Sequence, residues 1–173
     1  GTTTGSPVVV RAYAETLAGS AQAIAALVSQ GLSGIGLVNV NFADPAVQAF
    51  WPDCGVACFG ADIGAQFNVA MKTTGLGAIS TTTVSFEECN NEVCQAGDTS
   101  PRAFSVNMLE EDKRLQIVPT PLLDPATDAG KYYRVTIDGS VQSTSGVELT
   151  GLNTDDSFTW IFRMDPDGEL CTI

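Results

Sequence analysis

The stretch Ser157-Phe-Thr-Trp-Ile-Phe-Arg-Met164, near the end of the chain, decides the fold. Its even-numbered residues, Phe158, Trp160, Phe162 and Met164, are large and apolar, whereas three of the four odd-numbered residues are polar. Alternation with a period of two is typical of a strand that buries one face and leaves the other in water. The stretch therefore predicts a half-buried antiparallel strand.

Other parts of the chain show the same alternation. Residues 114–120 (Arg-Leu-Gln-Ile-Val-Pro-Thr) and 131–138 (Lys-Tyr-Tyr-Arg-Val-Thr-Ile-Asp) alternate apolar and polar side chains, and shorter alternating runs lie at 65–69, 81–88 and 104–109. About seven short strands with frequent turns are typical of an Ig-like sandwich. We therefore predict an all-β fold, an Ig-like antiparallel β-sandwich. The residues predicted to form its core are Phe67, Val84, Phe86, Tyr133, Val135, Phe158, Trp160 and Phe162.

The composition is that of a globular protein with an acidic surface. Of the 173 residues, 44% are hydrophobic and 16% are charged, and the formal net charge is −12. Such a surface repels phosphates and anionic lipids, which argues against a nucleic-acid partner. Because no apolar run is long enough to cross a bilayer, the sequence also predicts no membrane insertion.

The cysteines predict disulfides and an extracellular location. Cys54 and Cys58 are four residues apart, Cys89 and Cys94 are five apart, and Cys171 stands alone. Metal binding is the alternative, but four-cysteine zinc sites favour tighter C-x2-C pairs. We predict the local bridges Cys54–Cys58 and Cys89–Cys94, with Cys171 free or paired outside the chain. Such bridges persist in oxidising, extracytoplasmic surroundings.

The sequence contains no recognisable catalytic constellation. It has no histidine, which excludes Ser-His-Asp and Cys-His arrangements. It also lacks a G-x-S-x-G elbow and a phosphate-binding glycine loop. The prediction is a protein that is not an enzyme.

One acidic turn near the C-terminus is a candidate calcium site. Asp165, Asp167 and Glu169 are closely spaced around Pro166 and Gly168. Calcium takes oxygen ligands from turns of this kind. The alternative is the ordinary turn chemistry of Asp, Pro and Gly, in which case the protein needs no cofactor.

Residues 1–43 differ in composition from the rest of the chain. They are rich in Ala, Val and Gly, contain no cysteine, and carry one acid and one base. Val8–Val10 and Leu37–Phe42 are strand-like because they are rich in β-branched residues. Residues 12–32 fit a strand–turn–strand, with an amphipathic helix as the alternative. A boundary is predicted just before Pro45, since proline ends the preceding strand.

Several motifs resemble one family of bacterial Ig-like domains. Gln66-Phe-Asn-Val-Ala-Met71 resembles the opening segment of the Big_5, or SbsA-like, type. Residues 131–137, Ser145-Gly-Val-Glu-Leu149 and Phe158-Thr-Trp-Ile-Phe162 resemble that family's closing strands, in the same order. The resemblance covers about residues 46–165. It implies an Ig-like domain of a multi-domain bacterial cell-surface protein, with no catalytic residues.

The resemblance also implies how the chain is organised. Residues 1–43 would be the closing strands of a preceding Ig-like domain, 44–165 a complete domain, and 166–173 a linker or the start of the next. The implied role is that of a structural module in a stalk, array or filament, with neighbouring domains or other copies as partners. In this scheme the tail 170–173 completes the partial block of another copy by β-strand addition. The alternative is an adhesin domain that binds a glycan or protein through its loops.

Overall fold

The computed structural model describes residues 44–95, 97–151 and 153–171. The predictions made for residues 1–43 therefore lie outside the described residues. The domain boundaries at residues 44 and 166 stay predictions.

The described part of the chain is built almost entirely of short strands. The elements are β1 (Val47–Trp51), β2 (Val56–Ala57), β3 (Ile63–Phe67), β4 (Val84–Cys89), β5 (Thr99–Pro101), β6 (Phe104–Leu109), β7 (Arg114–Pro119), α1 (Pro125–Asp128), β8 (Tyr132–Ile137) and β9 (Phe158–Met164). The single helical turn α1 lies in the Pro- and Asp-rich connection between β7 and β8. Asp124 caps this helix by accepting the N–H of Ala126, and Pro125 occupies its first turn, where a missing N–H costs nothing.

The strands form two sheets. One has the order β1-β3-β7-β6 and is antiparallel throughout. The other has the order β2-β9-β8-β4-β5 and is antiparallel except for β2, which runs parallel to β9. The strands of Ig-like domains are conventionally lettered in chain order. When β1 to β9 are lettered A, A′, B, C, C′, D, E, F and G, the first sheet has the order A-B-E-D and the second has the order A′-G-F-C-C′. This is the strand order of an Ig-like sandwich, and it confirms the predicted fold class.

The alternation in β9 sets its position in the core. Trp160 lies opposite Val135 in the ladder with β8, and Phe162 lies opposite Tyr133. Because side chains alternate between the two faces of a strand, these residues share the inner face of their sheet. Every residue predicted to form the core is buried, with at most 7% of its surface exposed: Phe67, Val84, Phe86, Tyr133, Val135, Phe158, Trp160 and Phe162.

The turn between β6 and β7 has an unusual backbone. Glu110, Glu111 and Asp112 all have positive φ angles, of 51°, 55° and 62°. In this left-handed region the Cβ atom crowds the following carbonyl, which costs a residue other than glycine roughly 1–2 kcal/mol. The turn is closed by the N–H of Lys113, which donates to Leu109 O at 3.1 Å.

We expect Glu111→Gly to raise the free energy of unfolding by about 0.5–1 kcal/mol, because glycine removes the steric cost but adds entropy to the unfolded chain. Glu111 is exposed and makes no ion pair within the described residues, so little else is lost. Urea unfolding measures the change. The matched control is Glu92→Gly, at an exposed position without a positive φ, which should be neutral or destabilising. Equal effects at both positions would contradict the explanation.

Candidate functional site

A disulfide joins the segment that follows β2 to the segment that follows β9. Cys58 is bonded to Cys171, with their Cα atoms 5.1 Å apart and a sequence separation of 113. Cys54 carries a free thiol and is exposed. The predicted Cys54–Cys58 bridge was therefore wrong, and Cys171 is not free. Sequence spacing reveals only local partners, whereas the parallel pairing of β2 with β9 brings distant residues together.

Backbone hydrogen bonds surround this disulfide. Asp165 N–H donates to Ala57 O at 2.8 Å, Phe59 N–H to Glu169 O at 2.8 Å, and Cys171 N–H to Phe59 O at 2.9 Å. The bonds continue the β2–β9 ladder to the disulfide, and Phe59 is buried beneath them. The end of the described chain thus pairs with its own domain. The prediction that the tail 170–173 completes another copy is wrong for Leu170 and Cys171, because both are paired within their own domain. We call this ladder with its disulfide (residues 56–59 and 163–171) the terminal clamp.

The second disulfide closes a local loop. Cys89, the last residue of β4, is bonded to Cys94, at a sequence separation of 5. Arg134 of β8 donates from Nη1 to Cys94 O at 2.6 Å. Asn91 Oδ1 accepts the N–H groups of Val93 and Cys94 within the loop. This predicted bridge is present, and it fixes a surface loop.

The acidic turn after β9 satisfies its own hydrogen bonds. Asp165 Oδ1 accepts the N–H of Asp167 at 2.8 Å and that of Glu169 at 3.3 Å. Within the described ranges, no three Asp, Glu, Cys or His side chains lie close enough to hold a metal ion. The geometry is that of a turn stabilised by an aspartate. Calcium binding by Asp165, Asp167 and Glu169 stays a prediction.

A buried carboxylate that the sequence analysis did not identify connects α1 to the sheet. Asp128 is 1% exposed. Its Oδ1 accepts the hydroxyl of Tyr133 at 2.8 Å, and its Oδ2 accepts the Asp124 N–H at 2.9 Å and the Thr127 hydroxyl at 3.1 Å. Buried polar groups must find such partners or destabilise the fold. The signal in the sequence is only an aspartate a few residues before a strand that contains two tyrosines.

Basic side chains compensate the charge of this carboxylate. Arg102 and Lys131 each approach Asp128 Oδ1 to 3.6 Å. Both also form ion pairs with Glu88 of β4, at 3.2 Å and 3.0 Å. The resulting cluster of two acids and two bases holds the connection between β7 and β8 against β4. Its contacts are internal to the domain, which indicates a structural role.

The same contacts explain the pKa values of Asp128 and Tyr133. Burial alone would raise the pKa of Asp128, but hydrogen bonds from Asp124, Tyr133 and Thr127, together with the charge of Arg102, bring this pKa below its usual value. Burial and the bond to Asp128 raise the pKa of Tyr133 well above its usual value. The carboxyl therefore stays ionised and the phenol stays protonated as its donor.

We expect Tyr133→Phe to lower the free energy of unfolding near pH 7 by about 1.5–3 kcal/mol, because it removes a hydrogen bond to a charged, buried acceptor. A carboxyl whose pKa is lowered by folding stabilises the protein above its unfolded pKa, about 3.9 for Asp, and this contribution is lost as the pH falls through the folded value. The difference between wild type and variant should therefore shrink below about pH 4.

Urea unfolding at several pH values measures both effects. The control is Tyr132→Phe, since the Tyr132 hydroxyl has no hydrogen-bond partner among the described residues and its ring is only half-buried. A difference for Tyr133→Phe that does not change with pH would show that the hydroxyl acts independently of the Asp128 charge.

A cleft runs along β6, at the edge of the first sheet. Its volume is 760 Å³. One wall is formed by β6 itself and the other by the segment 73–81. The end of the cleft near the β6–β7 turn is marked by Leu109 and Asp112.

Aromatic side chains do not form a binding platform in the described part of the chain. None of the Phe, Tyr or Trp residues described there is exposed, and the exposed large hydrophobic residues are all aliphatic. Trp51, on β1, is partly covered by the guanidinium of Arg114, which lies 5.1 Å from the centre of its ring. In the described segments, no helix has the length and apolar character needed to cross a membrane.

Comparison of the chain with protein-family models, with curated proteins and with solved structures found no match. The resemblance to Big_5 domains therefore stays a prediction that rests on the motifs, whereas the Ig-like strand order rests on the structure.

Proposed function

We propose that the protein is a non-enzymatic structural module of a bacterial surface stalk, array or filament, and that it transmits tension between neighbouring domains or copies. The observation that carries this proposal is the terminal clamp, in which Cys58, after β2, is covalently joined to Cys171, after β9, at a sequence separation of 113. An enzyme or a ligand-binding site does not require this placement, whereas a module under tension benefits from it directly.

The chain is also anchored where it enters the sandwich. The side chain of Asn68 accepts the Ala46 N–H and donates to Asp44 O, both at 2.8 Å. Pro45 is buried, and its carbonyl accepts the N–H of Thr150 at 2.8 Å. Tension arriving from the N-terminal side is therefore taken up at the start of the domain by several hydrogen bonds.

The terminal clamp determines which bonds carry the tension across the domain. Because β2 and β9 are parallel and adjacent, pulling the chain ends apart loads their hydrogen bonds together and in shear. If those bonds break, the disulfide still connects residue 58 to residue 171. The chain between the two cysteines, about 400 Å long when fully extended, cannot be drawn out while the disulfide is intact.

The location follows from the same chemistry. Two disulfides within one small domain indicate an oxidising, extracellular environment. The bacterial cell surface is part of the proposal and rests on the motif resemblance. An acidic chain, with a net charge of −12, is compatible with a solvated surface component and repels nucleic acid.

An adhesin that binds a glycan or a protein through its loops is the second candidate. Its support is weaker, because the described loops expose no aromatic side chain of the kind that stacks on sugars or anchors a protein interface. Electron microscopy and sedimentation velocity of the purified full chain separate the two functions. The structural proposal predicts linear oligomers or ordered fibres. A monomer at all concentrations that is retained on a glycan or protein array would support the adhesin.

A further inference from the structure

Strand β6 is an edge strand whose own sequence lacks the features that usually prevent edge pairing. Among the described strands it pairs with β7 alone. Its sequence, Phe104-Ser-Val-Asn-Met-Leu109, contains no charge, proline or glycine. Natural edge strands are usually protected by charged residues, proline, bulges or shortness. An unprotected strand of six residues is therefore a template for another strand.

The register shows which backbone groups are open. Thr120 N–H donates to Ala103 O, so the pair before Phe104 and Pro119 is hydrogen-bonded. Bonded pairs alternate along an antiparallel ladder. The N–H and C=O groups of Phe104, Val106 and Met108 therefore point away from β7. All six residues of β6 line the cleft described above.

We propose that β6 and this cleft accept the strand Val8–Val10 from a second copy of the chain, by β-strand addition. The inference rests on the proposed structural function and specifies the surface through which copies join; the terminal clamp bears tension between the two ends of one chain and lies outside this joint. Strand addition supplies main-chain hydrogen bonds, and alternate side chains supply the fit. Val8 and Val10 would lie beside Phe104, Val106 and Met108, which line the cleft and are only partly buried against the core.

Charge is the first argument for this occupant. Residues 1–43 contain one acid and one base, so the remainder of the chain carries the whole net charge of −12. A strand from that remainder would approach an acidic domain against repulsion, whereas one from residues 1–43 would not. Within residues 1–43, the stretch Pro7-Val-Val-Val-Arg11 combines three β-branched residues with the single base.

Charge also sets the direction of the added strand. The turn after β6 carries Glu110, Glu111 and Asp112, and Glu110 already pairs with Arg114. Neither Glu111 nor Asp112 has an ion-pair partner within the described residues. Arg11 lies at the C-terminal end of the donor and would form an ion pair with the acidic turn at the C-terminal end of β6. The donor therefore runs parallel to β6.

The test uses the full chain and a matched pair of substitutions in the acceptor. Val106→Pro removes the open N–H while keeping an apolar side chain, and proline is tolerated on edge strands. Val106→Ala loses more side-chain packing but keeps the N–H. Sedimentation velocity over a range of concentrations gives the dissociation constant for assembly. We expect Val106→Pro to raise it about tenfold or more and Val106→Ala to change it much less, because only the first removes a hydrogen bond.

A charge exchange tests the donor and its direction. Arg11→Glu should raise the dissociation constant about threefold or more, and combining it with Glu111→Arg should restore assembly. Hydrogen exchange provides an independent readout, since the Phe104, Val106 and Met108 amides should become protected only at concentrations at which the wild type assembles.

Each outcome bears on one proposal. Fibres that form equally well with Val106→Pro would overturn the β6 acceptor and leave the structural function standing. Failure of Glu111→Arg to rescue Arg11→Glu would overturn the donor and its orientation. A wild type that stays monomeric, with β6 amides already protected at high dilution, would overturn addition between copies, because the strand would then come from the same chain.

Discussion

Replacing both Cys58 and Cys171 by serine is expected to lower the free energy of unfolding by about 5 kcal/mol, since the disulfide closes a loop of 113 residues and loop-closure entropy grows with loop length. Replacing both partners avoids leaving a new free thiol. Denaturant unfolding of the oxidised proteins by tryptophan fluorescence measures the change. An effect of this size equals a large part of the stability of an ordinary domain.

The second disulfide is the matched control. Cys89→Ser with Cys94→Ser opens a loop with a sequence separation of only 5, for which the same relation gives about 2 kcal/mol. Cys54→Ser removes the free, exposed thiol and should be close to neutral. Equal losses for the two disulfides would mean that the terminal clamp does not act by restricting the unfolded chain.

Trp160→Ala is expected to lower the free energy of unfolding by about 3–5 kcal/mol, the usual cost of removing a large buried aromatic side chain. Trp160 is 5% exposed. Its ring centre lies 5.7 Å from that of Phe50 and 6.0 Å from that of Phe158. The substitution therefore opens a cavity between β1 and β9. Denaturant unfolding followed by circular dichroism measures the change without relying on the removed fluorophore.

Trp160→Phe is the informative control. The indole N–H of Trp160 is buried and has no hydrogen-bond partner within the described part of the chain, so its removal sacrifices no bond. Phenylalanine keeps an aromatic ring against Phe50 and Phe158, and we expect a cost of about 1 kcal/mol. If Trp160→Ala cost less than about 1 kcal/mol, the inward register of β9 would be wrong.

The core was predictable because strand periodicity is local information. Phe158, Trp160 and Phe162 are adjacent on one face of any strand that contains them, whatever the strand pairs with. Val135 and Tyr133 follow the same rule in β8 and lie opposite them in the ladder. A shift of the β8–β9 pairing by one residue would turn all of these apolar side chains toward solvent. The alternation therefore predicts the register of β9 as well as its existence.

The terminal clamp and the buried carboxylate were not predictable in the same way. Cys58 meets Cys171 only because β2 lies parallel to β9, and no spacing in the sequence encodes that contact. Asp128 becomes buried only when α1 packs on β8 and Tyr133 supplies a hydroxyl. Both depend on strand order in three dimensions.

The position of β6 at the edge of the described sheet depends on strand order as well. The alternation of apolar residues at 104–109 predicts a strand and is visible without a structure. Whether that strand is central or at an edge follows from the placement of β7 between β3 and β6. Only then does the absence of charge and proline become a functional observation.

Pulling the full chain from its two ends in a force spectrometer tests the proposed role most directly. With the Cys58–Cys171 disulfide intact, extension should be limited to residues outside the bridged loop. After reduction, or in the double serine variant, an additional lengthening of about 400 Å should appear as the 113 residues are released. An oxidised chain that already shows this lengthening would contradict the account, because Cys58 and Cys171 would then not be bonded to each other.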